Sequence, residues 1–161
     1  MIQLRGVEVS DLDALFAIDR ECFQPGIAYS RTDLRYYVSH RGSISVLAED
    51  DATKVILGFA IAESYLEKGV PVGHVITIDV RSARRRQGLG RMMMDAILAR
   101  LSAAGAKLVR LEVAADNAAA LGFYRGIGFS RTGRIPGYYM GKLDALVMEK
   151  RLDPNGATQA L

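Results

Sequence analysis

Residues 72–91 read VGHVITIDVRSARRRQGLGR. The β-branched residues at 72, 75, 76, 77, 78 and 80 predict a strand over 69–80. Gly88-Leu89-Gly90 follows, and then Met92, Met93, Ala96, Ile97 and Leu101 recur near 3.6 spacing. That pattern predicts a helix over 89–103, stopped by Gly105. The two glycines permit a tight turn with open amides just where a helix N-terminus carries about half a positive charge. Arg85, Arg86 and Arg91 flank the turn. Open amides, helix dipole and guanidinium forks together make a seat for phosphate or pyrophosphate. The charge is concentrated there: residues 81–91 hold five arginines and no acid, so in a chain of net charge +3 the remainder carries −2.

Two nucleotide motifs do not fit this seat. A dinucleotide fingerprint needs a third glycine, and Met93 stands in its place. The nearest approach to a Walker A loop, GYYMGKL at 137–143, is one residue short between its glycines and has Leu where Ser or Thr belongs.

Working outward, IQLRGV (2–7) reads as a strand. Ser10 opens a helix with Asp11 and Asp13 in its first turn, and QPG at 24–26 ends it. Ser30 and Thr32 offer caps for a second helix to about Ser39. SISVLAE (43–49) and KVILGFAIAESYL (54–66) read as strands, as do KLVRLEVA (107–114), GFSRTGRI (128–135) and DALVMEKRL (144–152). Asp116 or Asn117 caps a helix running to Gly126 or Gly128. The order β-α-α-β-β-β-α-β-α-β-β predicts an antiparallel meander over 43–80 and a parallel pair across the crossover 69–114, hence a mixed α/β sheet. Residues 1–152 read as one domain and DPNGATQAL (153–161) as a flexible tail.

Composition removes other classes. At 161 residues, 50% hydrophobic and 24% charged, the chain is long and apolar enough for one core. Cys22 is the only cysteine, so no internal disulfide forms. His40 and His74 are distant in sequence and no cysteine pair exists, so no metal is expected. The longest apolar run, VILGFAIA at 55–62, falls far short of the roughly 20 residues of a membrane helix. The opening MIQLRGVEVSDLDAL lacks the basic and apolar regions of a signal peptide, and the expectation is a cytoplasmic protein with no membrane partner. A non-enzymatic RNA-binding module using 81–91 is a rival reading. No aromatic interleaves with those arginines, so no nucleic-acid partner is expected.

RRQGLG at 85–90 fits [QR]-x-x-G-x-[GA] and resembles the acyl-CoA signature of the GNAT acetyltransferase superfamily. LEVAADNAAALGFYRGIGF at 111–129 resembles the superfamily's second landmark. Glu112, Asn117 and Tyr124 make the similarity nearest to the ribosomal-protein alanine N-acetyltransferases, which acetylate protein N-terminal amines. Cys22-Phe23 before a Pro, Tyr138-Tyr139 and DALVM at 144–148 support it. The chain departs from that pattern at Ser82, where the family has Pro, and at QPGIAYS (24–30), which lacks the family's Trp. The resemblance implies the GNAT fold: α+β, with a mixed, mostly antiparallel central sheet and helices on both faces.

The resemblance also implies roles. Acetyl-CoA is the co-substrate. Its pyrophosphate lies on Arg85, Arg86, Gln87, Gly88, Leu89, Gly90 and Arg91, and its pantetheine arm on the backbone of Ile78, Asp79 and Val80, with Asn117 as a further contact. Glu112 is the general base and Tyr124 the proton donor to the CoA thiolate. Glu63, Tyr65, Tyr138 and Tyr139 line the acceptor groove. Leu111 and Val113 flank Glu112, so its side chain faces opposite to theirs. Asp79 is the competing base, and His74 is a lesser candidate. The acceptor is an amine: the N-terminal α-amine of a protein, or else a lysine or small molecule.

Overall fold

The computed structural model describes residues 1–152; the tail predicted at 153–161 lies outside them. Seven strands form one sheet: β1 (Ile2–Arg5), β2 (Ser43–Asp50), β3 (Ile56–Glu67), β4 (Val70–Val80), β5 (Leu108–Ala114), β6 (Ser130–Tyr139) and β7 (Leu143–Arg151). Their spatial order is β1-β2-β3-β4-β5-β7-β6. Four α-helices accompany them: α1 (Leu12–Cys22), α2 (Arg31–Ser39), α3 (Leu89–Ala103) and α4 (Ala118–Gly126). Every neighbouring pair is antiparallel except β4 and β5, as the crossover predicts.

The helices lie on both faces because the strands supply apolar residues to both. Met93, Met94, Ile97 and Leu101 of α3 and Leu121 of α4 pack with Ala48, Ala60, Ala62 and Val75. Leu15, Ile18 and Leu34 of α1 and α2 pack on Leu47, Phe59 and Ile61. A strand covered on both sides reads as a continuous apolar run, which is what 57–62 is. Local signals set the ends. Ser30 Oγ accepts from the Asp33 amide at 3.0 Å while the Asp33 carboxylate accepts from the Ser30 amide at 3.3 Å, a reciprocal cap that starts α2. β6 runs on to Tyr139, past the predicted end at 135, because an irregularity between Ile135 and Tyr139 absorbs Pro136 and Gly137 without ending the strand.

One feature of the sheet prepares the site. β4 and β5 pair only from Val72 opposite Leu108 to His74 opposite Arg110. Beyond that point they part, although β4 stays paired to β3 through Val80 and β5 to β7 through Ala114. The parting leaves two facing strand edges with backbone groups that lack a partner across the gap.

Candidate active site

A cleft of about 810 Å³ opens where β4 and β5 separate. Ile78 and Val80 of β4 form one wall. Glu112, Val113 and Ala114 of β5 form the other, and Asn117 and Tyr124 close it from the α4 side. At its far end lie Arg85, Arg86, Gly88, Leu89, Gly90 and Arg91, the turn and helix start singled out in the sequence. Gly88 takes φ +82° at the cap position of α3, a left-handed conformation open to glycine, and a Cβ there would meet nothing within 4 Å. The helix therefore begins with its amides bare toward the cleft. This geometry fits a pyrophosphate, with the pantetheine arm running up the parted strand edges.

Four of the five arginines line the cleft; Arg81 does not. Its guanidinium donates to the Ile56 carbonyl at 2.7 Å and pairs with Glu21 at 3.4 Å, so it ties the turn to β3 and α1. Arg84 lines the cleft although the sequence reading passed over it. Gln87 does not; its side chain accepts from Arg84 Nε at 3.0 Å and so holds the loop. Asn117 caps α4, its Oδ1 accepting from the Ala120 amide at 3.1 Å, and lines the cleft as well.

Tyr124 is 9% exposed, with its ring edge-on to Phe123 and Phe129. Burial, with a lesser push from the Asp79 and Tyr139 charges, raises its pKa, so the hydroxyl keeps its proton through neutral pH.

Asp79, the alternative base, has its carboxyl elsewhere. It is 1% exposed, does not line the cleft and faces α1. Asp79 Oδ1 accepts from Thr77 Oγ1 at 2.5 Å, and Asp19 Oδ2 accepts from the Tyr29 amide at 2.6 Å. The remaining oxygens, Asp79 Oδ2 and Asp19 Oδ1, are buried without a partner among the described residues. Burial, reinforced by the Asp19 carboxylate beside it, pushes the Asp79 pKa well up. Burial raises Asp19 too. A proton held between the two carboxyls satisfies both orphan oxygens. Asp79 is thus a buttress under β4, and only its backbone remains available to the cleft side.

Glu112 does have company that the sequence reading missed. His74, one strand across, places Nε2 2.7 Å from Glu112 Oε2. Its Nδ1 lies 3.4 Å from Glu63 Oε1, and Glu63 Oε2 lies 3.1 Å from His40 Nε2. Burial pushes the His74 pKa down, but the Glu112 and Glu63 carboxylates outweigh it and hold it above the ordinary value.

Of the groove residues, Tyr139 lines the cleft and Tyr138 is exposed beside it, the rings edge-on at 4.9 Å. Burial first of all pushes Tyr139 up to about 12. Tyr65 is not at the cleft; its hydroxyl accepts from Arg110 at 3.2 Å. The loop after α1 crosses toward the β6–β7 turn. Gly26 takes φ +93°, a left-handed conformation that favours glycine, and a Cβ there would press on the Met140 side chain, so the two loops touch at this point.

The GNAT acetyltransferase family model matches residues 12–129. N-alpha-acetyltransferase 30 of Schizosaccharomyces pombe is 30% identical over 118 residues, 73% of this chain and 77% of that protein. The L-methionine sulfoximine/L-methionine sulfone acetyltransferase of Pseudomonas aeruginosa is 31% identical over 121 residues, 71% of this chain and 69% of that protein. The crystal structure of the ribosomal-protein-S18-alanine N-acetyltransferase from Escherichia coli superposes with a TM-score of 0.81 at 25% identity, covering 95% of each chain.

Proposed function

The chain belongs to the GNAT acetyltransferase family and is an acetyl-CoA-dependent N-acetyltransferase, and we propose that its acceptor is the N-terminal α-amine of a protein. The observation that carries this reading is the place of Glu112: a carboxylate on the cleft wall, beside the point where β4 and β5 part and in the same cleft as Tyr124. An amine must be neutral to attack. With pKa near 8, roughly a tenth of an α-amine is free at pH 7, whereas under a thousandth of a lysine at about 10.4 is. A carboxylate base, directly or through a water, suffices for an α-amine, and a lysine asks more of it. The Schizosaccharomyces relative, named an N-alpha-acetyltransferase, supports the same acceptor class.

In this mechanism the turn 85–91 and the α3 N-terminus hold the CoA pyrophosphate, and the backbone of Ile78 to Val80 holds the pantetheine arm. Glu112 takes the amine's proton, directly or through a water. The nitrogen attacks the thioester carbonyl, a C–N bond forms and the C–S bond breaks. Tyr124 gives its proton to the departing thiolate. The peptide enters between the loop after α1 and the β6–β7 turn, past Tyr138 and Tyr139.

A second reading has one observation behind it. The Pseudomonas relative is named for a free amino-acid analogue, so a small α-amine is the alternative acceptor. CoA release measured against three acceptor sets separates the readings: peptides with a free N-terminus, the same peptides N-blocked but carrying lysine, and free amino acids and small amines. The proposal expects turnover with the first set alone. Turnover confined to small amines contradicts it.

A further inference from the structure

Phe23, Ile27 and Tyr29, all from the loop after α1, line the cleft on its acceptor side. Among the described residues, the backbone hydrogen bonds of residues 23–29 run only within the loop and back to the end of α1. Tyr29 supplies the ties to β4. Its hydroxyl donates to the Ile76 carbonyl at 3.3 Å. Ile76 has no opposite residue on β3, because the register shifts there from Ile61 opposite Thr77 to Ala62 opposite Val75. The Tyr29 amide donates to Asp19 Oδ2 at 2.6 Å, and the Asp19 carboxyl lies within hydrogen-bonding reach of Asp79 on β4. The amide tie therefore reaches β4 only while two buried carboxyls stay together. The groups around them fix where the proton sits. Thr77 donates to Asp79 Oδ1 and Tyr29 to Asp19 Oδ2, which leaves Asp79 Oδ2 and Asp19 Oδ1 over. A proton on Asp79 Oδ2, donated to Asp19 Oδ1, leaves no oxygen unmatched.

We propose that Asp19 and Asp79 are positioning residues of the acceptor site: their shared proton clasps the loop after α1 to β4 and holds Tyr29 on the cleft wall, and its loss to solvent at high pH loosens the loop and weakens acceptor binding. The proposal rests on an acceptor that enters past this loop. Without the proton, two carboxylates face each other in a buried setting and repel. The clasp titrates without a second group beside it. Cys22 of α1, Tyr29 of the loop and Tyr124 of α4 are kept neutral by pKa values that burial raises. Arg20 of α1 and Arg85 of the turn before α3 are the cations that face the pair, and both keep their charge throughout.

Carbon-13 NMR of protein labelled at the aspartate carboxyls tests the proton directly. One carboxyl should stay protonated at pH 6, where ordinary aspartates have ionised, and Asp79→Asn should remove that signal. The Tyr29 amide proton should shift with the same midpoint as that carboxyl. KM for the acceptor, measured with whichever amine turns over best, should rise several-fold through the same pH range, and more than KM for acetyl-CoA. Asp79→Asn donates an amide hydrogen to Asp19 that does not titrate, so the rise should vanish there. The acceptor's own titration is common to both proteins and cancels in their ratio. Absence of a protonated carboxyl at pH 6, or one that keeps its proton to pH 10, overturns the clasp. A carboxyl that titrates while the Tyr29 amide and the ratio of acceptor KM values stay put overturns its hold on the acceptor site, and leaves the N-terminal acceptor standing if peptides still turn over. A ratio that rises with small amines as the sole acceptors supports the clasp and shows that the N-terminal reading, not the clasp, had failed.

Discussion

Two acids sit on the strands that bound the cleft, Glu112 partly exposed on its wall and Asp79 buried behind it, and they do opposite things. Glu112 is partnered by an imidazole, and Asp79 by a second carboxyl. The Asp79–Asp19 pair needs a proton to stay folded. Its raised pKa means that folding takes up that proton at pH values between the ordinary carboxylate value and the raised folded one. Stability is therefore complete below that value and is lost as pH rises through the folded pKa. Asp79→Asn supplies an amide hydrogen to Asp19 Oδ1 that does not titrate. Melting temperatures measured from pH 5 to pH 9 should decline with pH in the parent and stay flatter in the variant. Parallel curves would mean that the two carboxyls do not share a proton. The sequence makes the two acids look alike, since each sits near the end of a β-strand. Both side chains take the face of the sheet opposite to Leu111 and Ile78; what separates them is that Asp79 lies against Asp19 of α1 while Glu112 opens to the cleft where β4 and β5 have parted, a tertiary difference that strand alternation does not foresee.

Elements were the most legible level. The apolar run at 57–62, the Ser30 cap and the glycine turn before α3 each have a local cause, and each lies where the sequence places it. The residues of the proposed phosphate seat are adjacent in the chain, and they line one end of the cleft. A ligand at 100 times its Kd adds about 2.7 kcal/mol to stability. Saturating acetyl-CoA should therefore raise the melting temperature of the parent protein by several degrees. Gly88→Glu puts a negative side chain where the first amides of α3 open, and it should abolish that increment whatever it does to the unliganded protein. An increment of the same size in the variant would place the pyrophosphate elsewhere. Strand pairing was less legible. The parallel contact of β4 and β5 follows from the crossover, but its end after three residue pairs does not, and that early end makes the cleft.

Across the whole molecule, the site gathers residues from parts of the chain that nothing local connects. His40 follows α2, Glu63 is on β3, His74 on β4 and Glu112 on β5. Read singly, His74 is one polar residue on a strand and Glu63 one acid on another; only the register Glu63 opposite His74 and His74 beside β5 brings them together. The same assembly gives the proposed base its setting: a carboxylate at the parting of two strands, with the proposed acyl donor's seat at one end of the cleft and two loops at the other. That Glu112 takes the proton of an α-amine there is the central claim. Glu112→Gln keeps the shape of the side chain and cannot take up that proton. Measured as kcat/KM on a peptide with a free N-terminus, the variant should lose roughly 10²-fold or more at pH 7. The deficit should shrink toward pH 9, where the amine deprotonates unaided, and Asp79→Asn should cost less at pH 7. Undiminished turnover in Glu112→Gln at pH 7, or a deficit that does not change with pH, would contradict the account.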